Sequence, residues 1–303
     1  MKSLSPAVKK FSLFLFTVLL FSTIYSEALA QQSRKSKHKP STANAQQPSI
    51  IQSVLDTASS IFDDDPYAQF RNVKYSNEGL LSEEEEVKLG NYLHAEIGKK
   101  FNLTTEGQAR VNRLGQRVVK FSLRPKLQYQ FFVYDANEIN AFAAPGGRIY
   151  VASKLVKMTT DDELASVLAH ETGHIVARHS LQALQEQQTV GGVAEIVGAI
   201  TGIVGNDAKE IGKAAAQLLA SPFLFAHSRE QEREADYLGI HTMTKAGLNP
   251  EGMVTMFEKL QKAYNSEPSL LGSIFASHPD IDERIKNTRY EINRIKQSKK
   301  ENR

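Results

Sequence analysis

The pentad His170-Glu171-Thr172-Gly173-His174 constrains this chain more than any other stretch. In a helix, residues four apart lie on one face, one turn above each other. Two imidazoles at that spacing can place nitrogens on a single metal ion. Glu171 lies about 100° further round, near enough to act on a water beside the metal without ligating it. Two neutral nitrogen donors with open positions suit catalytic zinc. The pattern therefore needs a helix, and its flanks supply one. Thr160-Asp161-Asp162-Glu163 has the S/T-x-x-E form of a helix start, with Thr160 as N-cap. Leu164, Val167, Leu168, Ile175 and Val176 follow at near-helical spacing, and no proline interrupts before Gln188.

A third ligand is available downstream. Ser228-Arg229-Glu230-Gln231 is another helix start, and it leads into Glu232-Arg233-Glu234-Ala235-Asp236. Glu232 and Asp236 share a face. The small Ala235 and Gly239 permit close packing against another helix, and Lys245 and Gly247 mark the helix end. A carboxylate at Glu232 can complete a two-histidine, one-glutamate zinc site. Asp236 is then placed to accept the free N–H of a ligating histidine.

The first thirty residues read as a secretory signal peptide. Lys2, Lys9 and Lys10 precede an apolar run, and Ala28-Leu29-Ala30 is an A-x-A cleavage site. The run is shorter than the ~20 residues a spanning helix needs. Export places the chain in a bacterial periplasm, with secretion as the alternative. The sequence contains no cysteine, which excludes disulfides, thiolate ligands and a cysteine nucleophile. A net charge of +3 gives no nucleic-acid surface. Arg34, Lys35, Lys37 and Lys39 lie in a polar linker able to graze anionic lipid. No G-x-S-x-G element supports a serine hydrolase.

Residues 31–80 read as a flexible segment, and the acidic run Asp63-Asp64-Asp65 as a solvated turn. Ser82-Glu83-Glu84-Glu85 caps a helix that runs to about residue 100, and a second helix is predicted over 106–121. Residues 127–134, 140–144 and 148–152 read as strands, with Pro145-Gly146-Gly147 as a turn and the pentad helix following at once. Helices, a small sheet, then helices make an α+β fold. Residues 190–205 are apolar and glycine-rich, and read as a lid or buried hairpin rather than a span. His94, His179, His227 and His241 read as packing or surface residues, and His38 lies in the linker.

Asn140-Ala141-Phe142-Ala143 with Pro145-Gly146-Gly147, the pentad, Ser228-Arg229 leading to Glu232–Asp236, and Ser277-His278-Pro279 with Arg284 occur in this order across about residues 80–290. The set resembles the gluzincin metallopeptidases of family M48. The resemblance implies one zinc per chain on His170, His174 and Glu232, with Glu171 as general base. It implies a mostly helical zincin-type domain over residues 81–295, followed by a polar tail over 296–303. It implies that Asn140, Ala141, Phe142 and Ala143 form an edge strand beside the cleft, able to pair with an extended polypeptide. It further implies that His278 and Arg284 approach the metal from the far side, where His278 either latches the site or assists the transition state with Arg284.

The expected activity is zinc-dependent cleavage of misfolded or misassembled envelope or outer-membrane proteins. The alternatives are a periplasmic chaperone or assembly factor that retains zinc with little proteolysis, or another zinc hydrolase such as a cell-wall amidase. A purely structural zinc site has no need of Glu171, which favours the enzyme.

Overall fold

The computed structural model describes residues 65–73, 75, 81–186, 197–198, 208–220, 224–266, 278 and 280–301. The proposed signal peptide and nearly all of the apolar stretch 190–205 lie outside these residues.

The fold is α+β. Nine helices are described: α1 (Glu83–Lys100), α2 (Gln108–Val119), α3 (Ser153–Met158), α4 (Asp161–Ala177), α5 (His179–Glu186), α6 (Ala208–Ala220), α7 (Arg229–Lys245), α8 (Glu251–Ser266) and α9 (Ile281–Glu301). The four strands are β1 (Leu103–Thr104), β2 (Gln130–Tyr134), β3 (Ala141–Ala144) and β4 (Arg148–Ala152), in spatial order β1-β2-β4-β3. β2 and β4 run parallel, and the outer pairs are antiparallel. β3 is thus an edge strand. It reaches β4 through Gly146 and Gly147, both left-handed at φ 76° and 85°, a conformation that side chains with a Cβ disfavour.

Strand alternation divides the interior. Phe131, Val133, Ala141, Ala143, Ile149 and Val151 face the core shared with α2, α4, α7 and α8. Tyr134, Phe142, Ala144, Tyr150 and Ala152 face a second core closed by α1, α5 and α6. Within the first core α4 is buried on nearly every side, its polar His170, Glu171 and His174 included.

All three capping boxes form. Ser82 pairs with Glu85, Thr160 with Glu163 and Ser228 with Gln231, each side chain bonding the other's backbone N–H. Elsewhere the structure departs from local expectation. The second helix is shorter, at Gln108–Val119, and the first long strand begins only at Gln130. The helix α3 separates β4 from α4. α4 stops at Ala177, because Arg178 turns left-handed at φ 60° and α5 starts afresh. α9 continues to Glu301, through the stretch expected to be a tail. The segment read as flexible up to residue 80 contributes buried Tyr67 and Phe70 to the core. Its Arg71 is bonded to Asp65 at 2.7 Å and to Glu291 of α9 at 2.7 Å.

One buried carboxylate ties three elements together. Glu86 of α1 accepts from the Gly146 N–H at 3.1 Å and from Arg124 at 3.0 Å, and lies 3.2 Å from Arg178 Nε. It thereby fixes the β3–β4 turn and the end of α4 against α1. Removing one partner of a buried ion pair strands the other charge. Glu86→Ala should therefore destabilise the protein by about 3–5 kcal/mol. The expected result is a lower urea midpoint at unchanged slope.

Candidate metal centre

His170 and His174 project from one face of α4, one turn apart, with Nε2 atoms 3.0 Å from each other. The crossing helix α7 brings Glu232 to them. Its carboxylate oxygens lie 3.4 Å from His170 Nε2 and 3.3 Å from His174 Nε2. The crossing is close because small residues meet there. A Cβ on Gly173 would stand 2.7 Å from the Ala235 carbonyl oxygen, and one on Gly239 would meet the His170 backbone nitrogen at 3.2 Å. His278, just before α9, adds a fourth donor. Its Nδ1 is 2.9 Å from both Glu232 oxygens and 3.4 Å from His170 Nε2.

The donor set suits a tetrahedral ion. Zinc bonds of about 2.0–2.1 Å to imidazole would hold neighbouring donors about 3.3–3.4 Å apart. The separations above run from 2.9 to 3.4 Å, at or somewhat below that value. All four side chains are buried, and Glu232 is 0% exposed.

Behind the donors stands a layer of hydrogen bonds. His170 Nδ1 lies 2.9 Å from Asp236 Oδ1. Arg284 of α9 donates to Asp236 through Nε at 2.8 Å and Nη2 at 2.7 Å, and its Nη1 is 2.7 Å from Glu232 Oε2. The guanidinium also sits over the Phe257 ring, 4.4 Å from its centre. It is committed to two carboxylates, whereas the sequence suggested a donor to the reacting group. Arg284 thus reaches the centre through Glu232 and Asp236.

Burial and charge act against each other here. Burial would raise the Glu232 carboxyl, but His278, Arg284 and His170 hold it well below the usual range. Burial likewise opposes ionisation of Asp236, and Arg284 overcomes it. Burial disfavours a charge on His170, yet Glu232 and Asp236 raise it to about 9. The same carboxylates favour any cation at that point. His174 is held neutral, first by burial and then by His227.

Glu171 is 2% exposed and stands apart from this network. Its Oε1 lies 3.9 Å from His278 Nε2, and its Oε2 is buried with no hydrogen-bond partner among the described residues. Burial pushes its carboxyl up, against the pull of His278 and His170. Glu171 and His170 open onto an apolar cavity walled by Ala141, Val167, Met253, Met256, Leu260 and Ile281. Of the β3 residues, Ala141 reaches this cavity. The Phe142 ring turns to the opposite face and stacks on Tyr150. Ala143 borders a smaller recess beside His174.

Two histidines read as packing residues also belong to the centre. His179 is fully buried with Nδ1 2.8 Å from His174 Nδ1, and the His227 ring stacks on His174 at 3.8 Å. The helical periodicity of α4 gave no signal for His179, because the helix breaks one residue before it. His94 and His241 do pack elsewhere, His94 against Tyr150 and His241 against Glu291.

A zincin-type metallopeptidase domain is the class that this fold and cluster define. The chain belongs to peptidase family M48, which it matches over residues 105–292. It is 30% identical over 227 residues to the beta-barrel assembly-enhancing protease of Escherichia coli (strain K12), covering 71% of this chain and 45% of that protein. It is 35% identical over 158 residues to the metalloprotease LoiP of the same organism, covering 52% of this chain and 60% of LoiP. It is 32% identical over 178 residues to the mitochondrial metalloendopeptidase OMA1 of Schizosaccharomyces pombe (strain 972 / ATCC 24843), covering 58% of this chain and 50% of OMA1. The chain thus spans roughly half the length of these relatives. Family membership implies a metal cofactor and polypeptide substrates.

The α4–α7 crossing supplies a test of the centre. Gly173→Ala inserts a methyl group where the Ala235 backbone lies, and overpacking of this kind costs about 1–3 kcal/mol. The expected result is a lower unfolding midpoint together with weaker zinc binding, as Glu232 is pushed away from the histidines. Isothermal titration with zinc and urea unfolding measure the two effects.

Proposed function

We propose that this chain is a zinc-dependent endopeptidase of the bacterial envelope, acting on misfolded or misassembled proteins and held latent by His278. The observation that carries the reading is the free Oε2 of Glu171, buried beside a compact cluster of two histidines and a glutamate. An unpartnered buried carboxylate has no structural use and a clear chemical one. His170, His174 and Glu232 would hold the zinc. When bound, zinc lowers the pKa of a water toward ~7 and polarises a carbonyl.

The protein groups divide the remaining work. Glu171 takes the proton of the attacking water and delivers it to the leaving amide nitrogen, and its upward-shifted pKa suits both transfers. Asp236 accepts the Nδ1–H of His170 and so leaves Nε2 free to ligate. Arg284 positions Glu232 and Asp236. Among the described residues β3, with Asn140 just before it, pairs with β4 alone, and an extended substrate backbone would pair along its other side. The apolar cavity beside Glu171 suits a bulky apolar side chain of the substrate. Unfolded proteins expose such side chains and folded ones hide them.

Location and substrate rest on the signal-peptide pattern and on relatives, one of which is named for β-barrel assembly. Among the described residues no helix is long and apolar enough to cross a membrane. The chaperone alternative would use a closed structural zinc site, and the four-donor cluster resembles one. Glu171 argues against it, since a site that only holds structure does not need a desolvated base.

The latch follows from the donor count. Catalytic zinc keeps a position open for water, whereas His278 supplies a fourth protein donor. His278 must therefore withdraw before water can react.

Two outcomes test the reading. Glu171→Gln should still bind one zinc while proteolysis of a denatured protein falls by ~10²–10⁴. Retained activity, or activity that a chelator does not abolish, refutes the role. His278→Ala should raise the rate of cleavage of that substrate, and cleavage sites should lie beside large apolar residues when mapped by mass spectrometry. A slower His278→Ala enzyme would remove the latch.

A further inference from the structure

We infer that His179, Glu234 and Tyr75 form a hydrogen-bonded relay that fixes the tautomer and orientation of His174, and thereby the metal affinity of the centre. The inference rests on the zinc reading above.

The two ring nitrogens of His174 face different neighbours. Nε2 points into the donor cluster, 3.3 Å from Glu232 Oε1. Nδ1 lies 2.8 Å from His179 Nδ1. Two imidazole nitrogens at that distance share one proton, so one donates and the other accepts. The far side of His179 decides which. Its Nε2 is 3.1 Å from Glu234 Oε2. A carboxylate oxygen facing a ring nitrogen at that distance accepts from it, so His179 carries a proton on Nε2. In the Nε2–H tautomer the Nδ1 of His179 presents a lone pair, and His174 donates to it from its own Nδ1. That leaves His174 Nε2 bare, as a metal ligand must be. Tyr75 completes the chain by donating its hydroxyl to Glu234 Oε1 at 2.8 Å.

The backbone is shaped to allow this contact. Had α4 continued without a break, His179 would lie about 140° round the helix from His174. The left-handed Arg178, a conformation uncommon for a residue with a side chain, brings His179 back beside it. Arg178 is held in that state by α1 and the residues before it, where Glu86 faces its Nε and the Leu81 carbonyl accepts from its Nη2. His170 is oriented by the carboxylate Asp236 directly. His174 is oriented by a carboxylate one imidazole further away. Tyr75 lies outside residues 105–292, so a segment beyond the family match reaches the support of the metal. His179 and Glu234 are positioning residues, with no contact to the reacting groups.

The test is zinc affinity of the full chain, read by competition with a chromophoric chelator, for wild type, His174→Ala, His179→Ala, His179→Gln and Glu234→Gln. Loss of a supporting hydrogen bond of this kind weakens metal binding by about 10–100-fold. His179→Ala is expected to fall in that range. His179→Gln should recover most of the affinity, because its amide can accept from His174 and donate to Glu234. Thermal unfolding of the zinc-free proteins separates the relay from a packing role, since the relay predicts lost affinity even where the melting temperature is unchanged. If His179→Ala does not fold, Glu234→Gln carries the test, with about tenfold weaker binding expected. Affinity within about threefold of wild type in His179→Ala, or in Glu234→Gln where that variant decides, overturns the relay. Wild-type protein that takes no zinc, or His174→Ala that binds as tightly as wild type, overturns the underlying zinc reading and the relay with it.

Discussion

The crossing of α4 over α7 is the contact on which the rest of the centre depends. Two imidazoles on one helix cannot hold an ion in a fixed geometry by themselves, and the third donor must come from a separate element at close range. Gly173 and Gly239 allow that range, because no Cβ stands between the helix backbones. A wider crossing would carry Glu232 away from both Nε2 atoms, whatever the quality of the caps and strands around it. The sheet, α2 and α8 press on the other sides of α4 and keep the crossing from opening.

Dry packing of this kind creates an electrostatic difficulty, and the fold answers it with paired charges. Glu232 and Asp236 share Arg284, and Glu291 of α9 pairs with Arg71 and with His241 of α7. Each arrangement lets a carboxylate stay ionised without water. Arg284 suits its place because a planar, permanently charged guanidinium can bond two carboxylates and still stack on Phe257. A lysine would supply the charge but not the fork. The guanidinium therefore sets the spacing between Glu232, the proposed third ligand, and Asp236, which links the shape of the donor cluster to the docking of α9.

Local signals made much of this legible before any coordinates. Capping boxes at Ser82, Thr160 and Ser228 are contiguous patterns whose physics is complete within four residues, and all three formed. The same holds for the glycine turn between β3 and β4. The pentad and the Glu232–Asp236 pair were visible because helical spacing alone puts each pair on one face. His179 was not visible. Its position depends on a left-handed Arg178, and no glycine or asparagine announced that turn, since it is imposed by Glu86 of α1 and by Leu81 just before that helix. Nor was Tyr67 legible as core, because its neighbourhood is acidic and polar until Arg71 meets Glu291, distant in sequence. What escaped was in each case a conformation or burial fixed by tertiary contacts.

The treatment of Glu171 completes the logic of the site. The other buried carboxylates of the described residues have cationic or N–H partners: Glu86, Glu163, Glu232, Asp236 and Glu291. Glu171 Oε2 has none. A buried acceptor left unsatisfied costs about 1–3 kcal/mol, and more when it is charged. A fold that pairs its buried carboxylates so consistently could have paired this one, and a single lysine in the apolar cavity would suffice. Such a partner would steady the protein and pull the carboxyl back to a low pKa, where it would bind a proton too weakly to carry one from water to amine. Among the buried carboxylates of the described residues, this destabilisation is therefore confined to the one for which a proton-carrying role is proposed, and the surrounding pairs make it tolerable.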